Sequence, residues 1–316
     1  MSQIHEFKSS RLSEALSAVV GIDSTVPADA MTAALLGTER SGNGSVIRDD
    51  GLIVTIAYLV MEADSIWIST ADGYAGPGYV VAIDNESGLA LVKPALPMPL
   101  RPVEMASADE LYVGASVFAA SCGGMEAITQ AQVAARQTFA GRWEYLLEDA
   151  VFTVPAHESW GGSALLDRSG RLCGVGSLLI SVASDDEDDD EVSSANMFVP
   201  IDVLPPVLDD LCRLGRRAGP QRPWLGTLVQ EDDDELVVVG IYPGCPADNA
   251  GLEPGDAIVA VRRQGVADLA ELFKAIWSTG PAGVRVPLTI LRDGRSMEVT
   301  VHSSDRALFH YRGTTH

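Results

Sequence analysis

From about Ser17 to Ile201 the chain breaks into short apolar runs: LIVTIAYLV, SIWIS, YVVAID, LALVK, SVFAAS, TQAQVAA, AVFTVP, RLCGVGSLLI and NMFVP. The runs are rich in β-branched and aromatic residues, and Gly, Asp, Asn and Pro separate them. Many short strands with turn residues between them predict a sandwich or barrel, not alternating strand–helix units. The pattern changes at Pro200. Between Asp202 and Arg217, Val203, Val207, Leu208, Leu211 and Leu214 fall at helical spacing, and Arg213, Arg216 and Arg217 gather at the end. Cations suit the C-terminal end of a helix dipole, so a connecting helix is expected here, ended by the linker AGPQRP.

The region from Pro223 to about His302 mixes the strand-like runs LGTLVQ, LVVVGIY, AIVAVR, VPLTIL and MEVTV with one amphipathic segment, DLAELFKAIW. Its apolar residues Leu269, Leu272, Phe273, Ile276 and Trp277 repeat at i, i+3, i+4, i+7 and i+8, and Asp268 with Glu271 forms a capping-box pattern. A helix packed on a small sheet follows. The expected organisation is an N-terminal tail (1–14), an all-β domain (15–201), a connecting helix and linker (202–222), a small α+β domain (223–303) and a polar tail (304–316) that frays.

At 316 residues the chain is long enough for two separate cores. Hydrophobic residues make up 47% and charged residues 21%, values of ordinary globular protein. No apolar run approaches the roughly 18 residues of a membrane span, so no membrane partner is expected. The segment Ala15 to Ile22 is apolar but short, follows Glu6 and Glu14, and leads into no small-residue cleavage pattern, which argues against a secretory signal. The four cysteines, Cys122, Cys173, Cys212 and Cys245, lack metal-ligand spacing. Free thiols, a cytoplasmic location, and no metal or other cofactor are the expectation.

A formal net charge of -22 excludes nucleic acid and anionic lipid as partners, since both are held by positive patches. Part of the excess is the acidic run Asp185 to Glu191. Self-repulsion makes a solvated loop of it, and the glycine and ligand spacing of a calcium loop are missing.

The residues PWLGTLVQ, YPGCPADNAGLEPGDAIVAVRRQGV, the helix and VPLTILRDGRSMEVTV together resemble a bacterial-type PDZ domain over its full length, the turn Ala250 to Asp256 most specifically. The resemblance implies a module that adds a partner's C-terminus as a strand at a sheet edge and receives the terminal carboxylate on consecutive backbone N–H groups. That loop is Trp224, Leu225, Gly226 and Thr227. Leu225 with Leu272 and Ile276 would wall a pocket for an apolar last side chain, or else serve as core.

All-β domain, connecting helix and PDZ in that order resemble the HtrA/Deg group of serine endopeptidases over about residues 15–302. This implies a mostly β chain, a chymotrypsin-like double β-barrel followed by a small α+β PDZ domain. SGNGSVIRDDGLIVTIAYLVMEAD, VVAIDNESGLALVKP and PAHESWGGSALLDRSGRLCGVGS are similar to the family's histidine, aspartate and serine segments. In these alignments Tyr58 stands at the histidine position, Gly88 at the aspartate position and Trp160 at the nucleophile. Glu158 stands where a glycine helps form the oxyanion hole. A serine attacks only when an oriented base takes its proton; a phenol near pKa ~10 cannot do this, Gly88 orients nothing, and indole has no nucleophilic oxygen. A relocated pair made from His157 with Ser159 or Ser163 needs an attack geometry that neighbours on one turn rarely reach.

The residues therefore lead to the expectation of a non-catalytic member, a pseudoprotease adaptor or regulator that is not an enzyme and whose PDZ domain binds the C-terminal peptide of an unidentified protein. The alternatives are an active serine endopeptidase of protein quality control and a chaperone-like holdase. Homo-oligomerisation stays open: the family's trimers use aromatic residues near the barrel's N-terminus, and here only Phe7 precedes Val19.

Overall fold

The computed structural model describes residues 11–182, 193–233 and 235–311, so the acidic run Asp185 to Glu191 lies outside the described residues. Within them the chain divides into two compact units, residues 11–137 with 149–218 and residues 138–148 with 219–311.

Apart from the hairpin at residues 138–148, which belongs to the second unit, two closed six-stranded barrels make up the first unit. In the first, β1 (Val19–Thr25), β2 (Glu39–Val46), β3 (Ile53–Ile56), β4 (Ser65–Thr70), β5 (Ala75–Asp84) and β6 (Leu89–Pro94) run in the order β1-β2-β3-β6-β5-β4. Antiparallel pairing of β1 with β4 closes the circle, Ile22 opposite Ile68. The second contains β7 (Ser116–Ala120), β8 (Ile128–Gly141), β9 (Tyr145–Val154), β10 (Ala164–Leu166), β11 (Leu172–Val182) and β12 (Ser193–Pro200), closed by β7 with β10. Closure removes the open edges of the two sheets where their end strands pair, and alternate side chains such as Val117, Ala119, Val133, Val151, Leu165 and Phe198 meet inside.

Two local expectations change. LIVTIAYLV is a strand only over Ile53–Ile56; Ala57–Val60 is a helical turn. Periodicity cannot separate a buried strand from a buried turn in a continuous apolar run, and Leu59 and Val60 are buried either way. The connecting helix is α-helical only over Leu208–Leu214, preceded by 3-10 turns at Ile201–Val203 and Pro205–Val207. Pro205 and Pro206 have no N–H to donate, and Gly215, at φ 72°, ends the helix in the left-handed region. Arg217 thus lies beyond the helix and grips the buried Asp84 carboxylate with two hydrogen bonds of 2.7 Å.

In the second unit β13 (Thr227–Asp232), β14 (Glu235–Ile241), β15 (Ala257–Val261), β17 (Arg285–Arg292) and β18 (Arg295–His302) form a sheet in the order β13-β14-β15-β17-β18, with the short β16 (Gln264–Gly265) on β15. The helix Leu269–Trp277 buries Leu269, Leu272, Phe273 and Ile276, four of the five positions read from its spacing, and leaves the fifth, Trp277, half-buried against Phe273. Asp268 caps it, accepting from the Glu271 N–H at 2.7 Å, while the Glu271 carboxylate reaches the N–H of Ala267. In the Gly-Leu-Glu-Pro-Gly-Asp turn, Asp256 is buried and holds Arg292 at 2.6 and 2.7 Å. The expected fraying from residue 304 does not hold over residues 304–311, and residues 312–316 lie outside the described residues. Ser304 bridges to Trp224, Arg306–Leu308 forms a 3-10 turn, and Phe309 packs on the Trp224 ring at 5.0 Å. Among the described residues no helix is long and apolar enough to cross a membrane.

Candidate functional site

A cleft of about 430 Å³ opens between the two barrels of the first unit, lined on one side by Ser41, Asn43 and Tyr58 and on the other by Cys122, Glu158 and Trp160. Asn43 ties its walls together. Its backbone N–H donates to Gly161 O at 2.8 Å, its amide nitrogen donates to Ser159 O at 3.0 Å, and its amide oxygen accepts from the Cys122 N–H at 2.9 Å. The Thr55 hydroxyl donates to Asn43 O at 2.6 Å.

Tyr58 projects from the turn Ala57–Val60, and its hydroxyl donates to Ser177 O at 2.9 Å. Burial pushes this phenol well above its usual range, against a smaller opposing pull from Trp160. It is a fixed donor and no base. Gly88 lies behind the same turn, its carbonyl accepting from the Ala57 N–H at 2.7 Å. At φ 76° Gly88 occupies backbone space that a side chain enters only with strain. Half-buried Trp160 and exposed Glu158 also border an adjoining hollow of about 740 Å³, which Val154, Pro155 and Leu179 make largely apolar. Tyr58, Trp160 and Glu158 thus share one cleft, and Gly88 joins them through the backbone.

The residues considered for a relocated Ser–His pair do not meet. Ser163 is fully buried and its hydroxyl donates to Trp160 O at 2.8 Å. His157 is buried too, its Nδ1 paired with the Thr129 hydroxyl at 2.9 Å and its backbone N–H bound to the Asn196 side chain at 2.6 Å. Burial pushes its imidazole down, with Glu158 opposing. Ser159 is exposed on the cleft rim. Ser41, also on the rim, donates its hydroxyl to Asp23 at 2.6 Å. The Cys122 thiol is pushed up by burial and keeps its proton.

The second candidate site is the loop Trp224 to Thr227, and within its unit it is already engaged. Three successive N–H groups point at one carboxylate: Leu225 at 3.0 Å to Oε2, Gly226 at 2.7 Å and Thr227 at 2.9 Å to Oε1 of Glu144. Gly226 has φ 86°, and a Cβ there would collide with the Cys245 side chain, so only glycine lets the loop curl. Glu144 itself is only 6% exposed and sits at φ 59°. Burial pushes its carboxyl up, against the pull of the three loop amides and of Arg306. Two residues earlier, Arg142 O accepts from the Val229 N–H of β13 at 2.9 Å, the bond an added strand would make.

Trp224, Leu225, Leu272 and Ile276 are all buried. The three residues expected to wall a pocket are packed as core, and the Trp224 ring packs at a tilt against Tyr242 and Phe309. Sequence reasoning missed Glu144. It lies in the expected barrel domain, some 80 positions before the loop, and only an aromatic-rich hairpin, FAGRWEY, marks the spot.

Residues 42–175 match the family of trypsin-like peptidase domains and residues 223–302 the PDZ domain family. A probable periplasmic serine endoprotease, DegP-like, of Hahella chejuensis is 27% identical over 280 residues, covering 83% of this chain and 56% of that protein. The serine endoprotease DegS of Haemophilus influenzae is 27% identical over 281 residues, covering 84% of this chain and 77% of DegS. Among solved structures, the HtrA-type protease AlgW with a decapeptide is similar at 21% identity and TM-score 0.56, over 95% of this chain and 98% of AlgW. The serine endoprotease from Yersinia pestis gives 21% and 0.52, over 94% and 97%. At such identity the two structures speak for the fold alone, and the chain spans little more than half of the Hahella relative's length.

These likenesses correct two expectations. The chain was expected to be no enzyme, yet the relatives matched over more than four-fifths of it are named serine endoproteases. It was expected to be cytoplasmic, yet relatives are named periplasmic. The first expectation rested on three side chains read through an alignment, the second on charge and cysteine placement, and neither property reports a compartment or an activity by itself.

Proposed function

Given that the chain belongs to the HtrA-type family, a trypsin-like peptidase domain followed by a PDZ domain, we propose that it is a polypeptide-handling protein of protein quality control that takes the C-termini of its clients at the PDZ loop. One observation carries this reading: the N–H groups of Leu225, Gly226 and Thr227 converge on a carboxylate. A terminal carboxylate is the ligand such a nest of amides selects, and a strand laid along β13 gives the rest of the peptide its main-chain bonds. The periplasm of the named relatives is the proposed location.

Endoproteolysis, the activity in those relatives' names, is carried over as the proposed chemistry of the cleft between the barrels. It places a demand on this chain, because hydrolysis needs a nucleophile, a base that takes its proton and donors for the developing oxyanion. Tyr58, Gly88 and Trp160 do not supply the first two. The cleft's exposed hydroxyls are those of Ser41, bonded to Asp23, and Ser159, next to Glu158.

The test is twofold. Purified full chain is incubated with unfolded casein, and cleavage is compared between the wild type and the variants Ser41→Ala and Ser159→Ala. Loss of cleavage in one variant locates the nucleophile, and a wild type without turnover removes endoproteolysis from the proposal. Binding of decapeptides with free or amidated C-termini is measured separately. Equal affinity for both forms removes the C-terminal clamp.

A further inference from the structure

We propose that Glu144 is a built-in ligand of the PDZ carboxylate loop, so that the loop is closed by the chain's own hairpin and a client C-terminus binds only by displacing it. This rests on the reading of Trp224 to Thr227 as a carboxylate-binding loop.

The geometry copies the peptide mode at two points. The Glu144 carboxylate takes all three loop amides and lies within 3.3 Å of the Thr227 hydroxyl. Arg142, two residues before it, accepts from Val229 on β13. An incoming C-terminus needs the same two features, a carboxylate in the nest and a main-chain carbonyl two residues earlier at the strand. Both cannot be present together.

The hairpin is shaped for this role. Glu144 holds a left-handed backbone, φ 59°, uncommon for a residue with a side chain and retained when the surroundings enforce it. The Trp143 carbonyl accepts from Arg306, and the Trp143 ring stacks on Tyr145 at 5.7 Å, which fixes the turn that presents the carboxylate. Arg306 also places a positive charge near the buried carboxylate. An ordinary surface glutamate would stay in water; this one is 6% exposed and aimed at three donors on a segment some 80 residues away in sequence.

A ligand that must first eject a competing group binds more weakly by the fraction of time the site stands open. The test uses the full chain, a fluorescent decapeptide mixture with apolar last residues and free carboxylates, and the same mixture amidated. Glu144→Ala and Glu144→Gln are each expected to tighten free-acid binding by about tenfold or more. In the wild type the backbone amide resonance of Gly226 is expected to carry the downfield shift of an N–H bonded to a carboxylate, lost in Glu144→Ala and restored there by millimolar propionate.

Wild type and Glu144→Ala binding the free-acid mixture equally, with an unmoved Gly226 resonance, overturns the self-capping while leaving the clamp intact. A Gly226 resonance that moves in both variants, in a protein that never binds the free-acid mixture, supports the self-capping and overturns the clamp. Should Glu144→Ala fold poorly, Glu144→Gln preserves size and carries the same two readouts.

Discussion

Asn43 offers the sharpest test of how the cleft is held. The residue is 5% exposed, and its side chain closes three hydrogen bonds across the barrels: the amide nitrogen donates to Ser159 O at 3.0 Å and to Gly161 O at 3.2 Å, and the amide oxygen accepts from the Cys122 N–H at 2.9 Å. In Asn43→Ala the Ser159 carbonyl and the Cys122 N–H lose their mate, while Gly161 O loses the side-chain donor but keeps the Asn43 backbone N–H. A buried polar group left unpaired costs ~1–3 kcal/mol, and water entering from the cleft offsets part of this, so about 2 kcal/mol is expected for the pair. For a unit of this size that is a fall of roughly 4–8 °C in Tm. Asn43→Asp is expected to do at least as much damage, because it keeps the acceptor for Cys122 but sets a carboxylate oxygen against the Ser159 and Gly161 carbonyls. The assay is urea unfolding followed by tryptophan fluorescence, with m compared between variants to check that the unfolded state is unchanged. An Asn43→Ala protein within about 0.5 kcal/mol of wild type, or an Asn43→Asp protein more stable than Asn43→Ala, would refute the stapling argument, since the first is the scatter of an ordinary surface change.

Other positions give direct checks. Gly226→Ala forces a side chain into left-handed backbone and onto Cys245, so it is expected to cost at least about 2 kcal/mol in thermal or urea unfolding and to abolish free-acid peptide binding. Leu272 is fully buried, and Leu272→Ala is expected to lower stability by ~2–5 kcal/mol in the same assay. His157 has its imidazole pKa depressed by burial, so the unfolded chain takes up the proton first; stability is present above about pH 6.5 and falls as pH drops below it. His157→Gln is expected to flatten that part of the stability–pH profile, measured by urea midpoints between pH 7 and pH 5, and an unchanged profile would show that another group governs it.

The strand pattern and the amphipathic helix were legible in the sequence because each depends on neighbours in the chain. The stripe Leu269, Leu272, Phe273 and Ile276 with its Asp268 cap lies where its spacing put it. So was the family, since the turn from Ala250 to Asp256 and the segments around Tyr58, Gly88 and Trp160 are local motifs. The helical turn at Ala57–Val60 was not legible, as an unbroken apolar run looks alike in either conformation. Nor was the early stop of the connecting helix, where Gly215 and two prolines outweigh a periodic pattern.

By itself the sequence determined the mostly β strand pattern, the amphipathic helix and the family they build, because local propensity and spacing act through the bonds of adjacent residues. The tertiary structure alone decided that Asn43 staples the cleft, that His157 and Ser163 are each held in separate hydrogen bonds, and that Glu144 reaches the loop Trp224 to Thr227. Each of these joins residues far apart in the chain. A carboxylate 80 positions from three amides carries no mark of that meeting until the fold removes both from water, and then the pairing is enforced because neither can be left alone there.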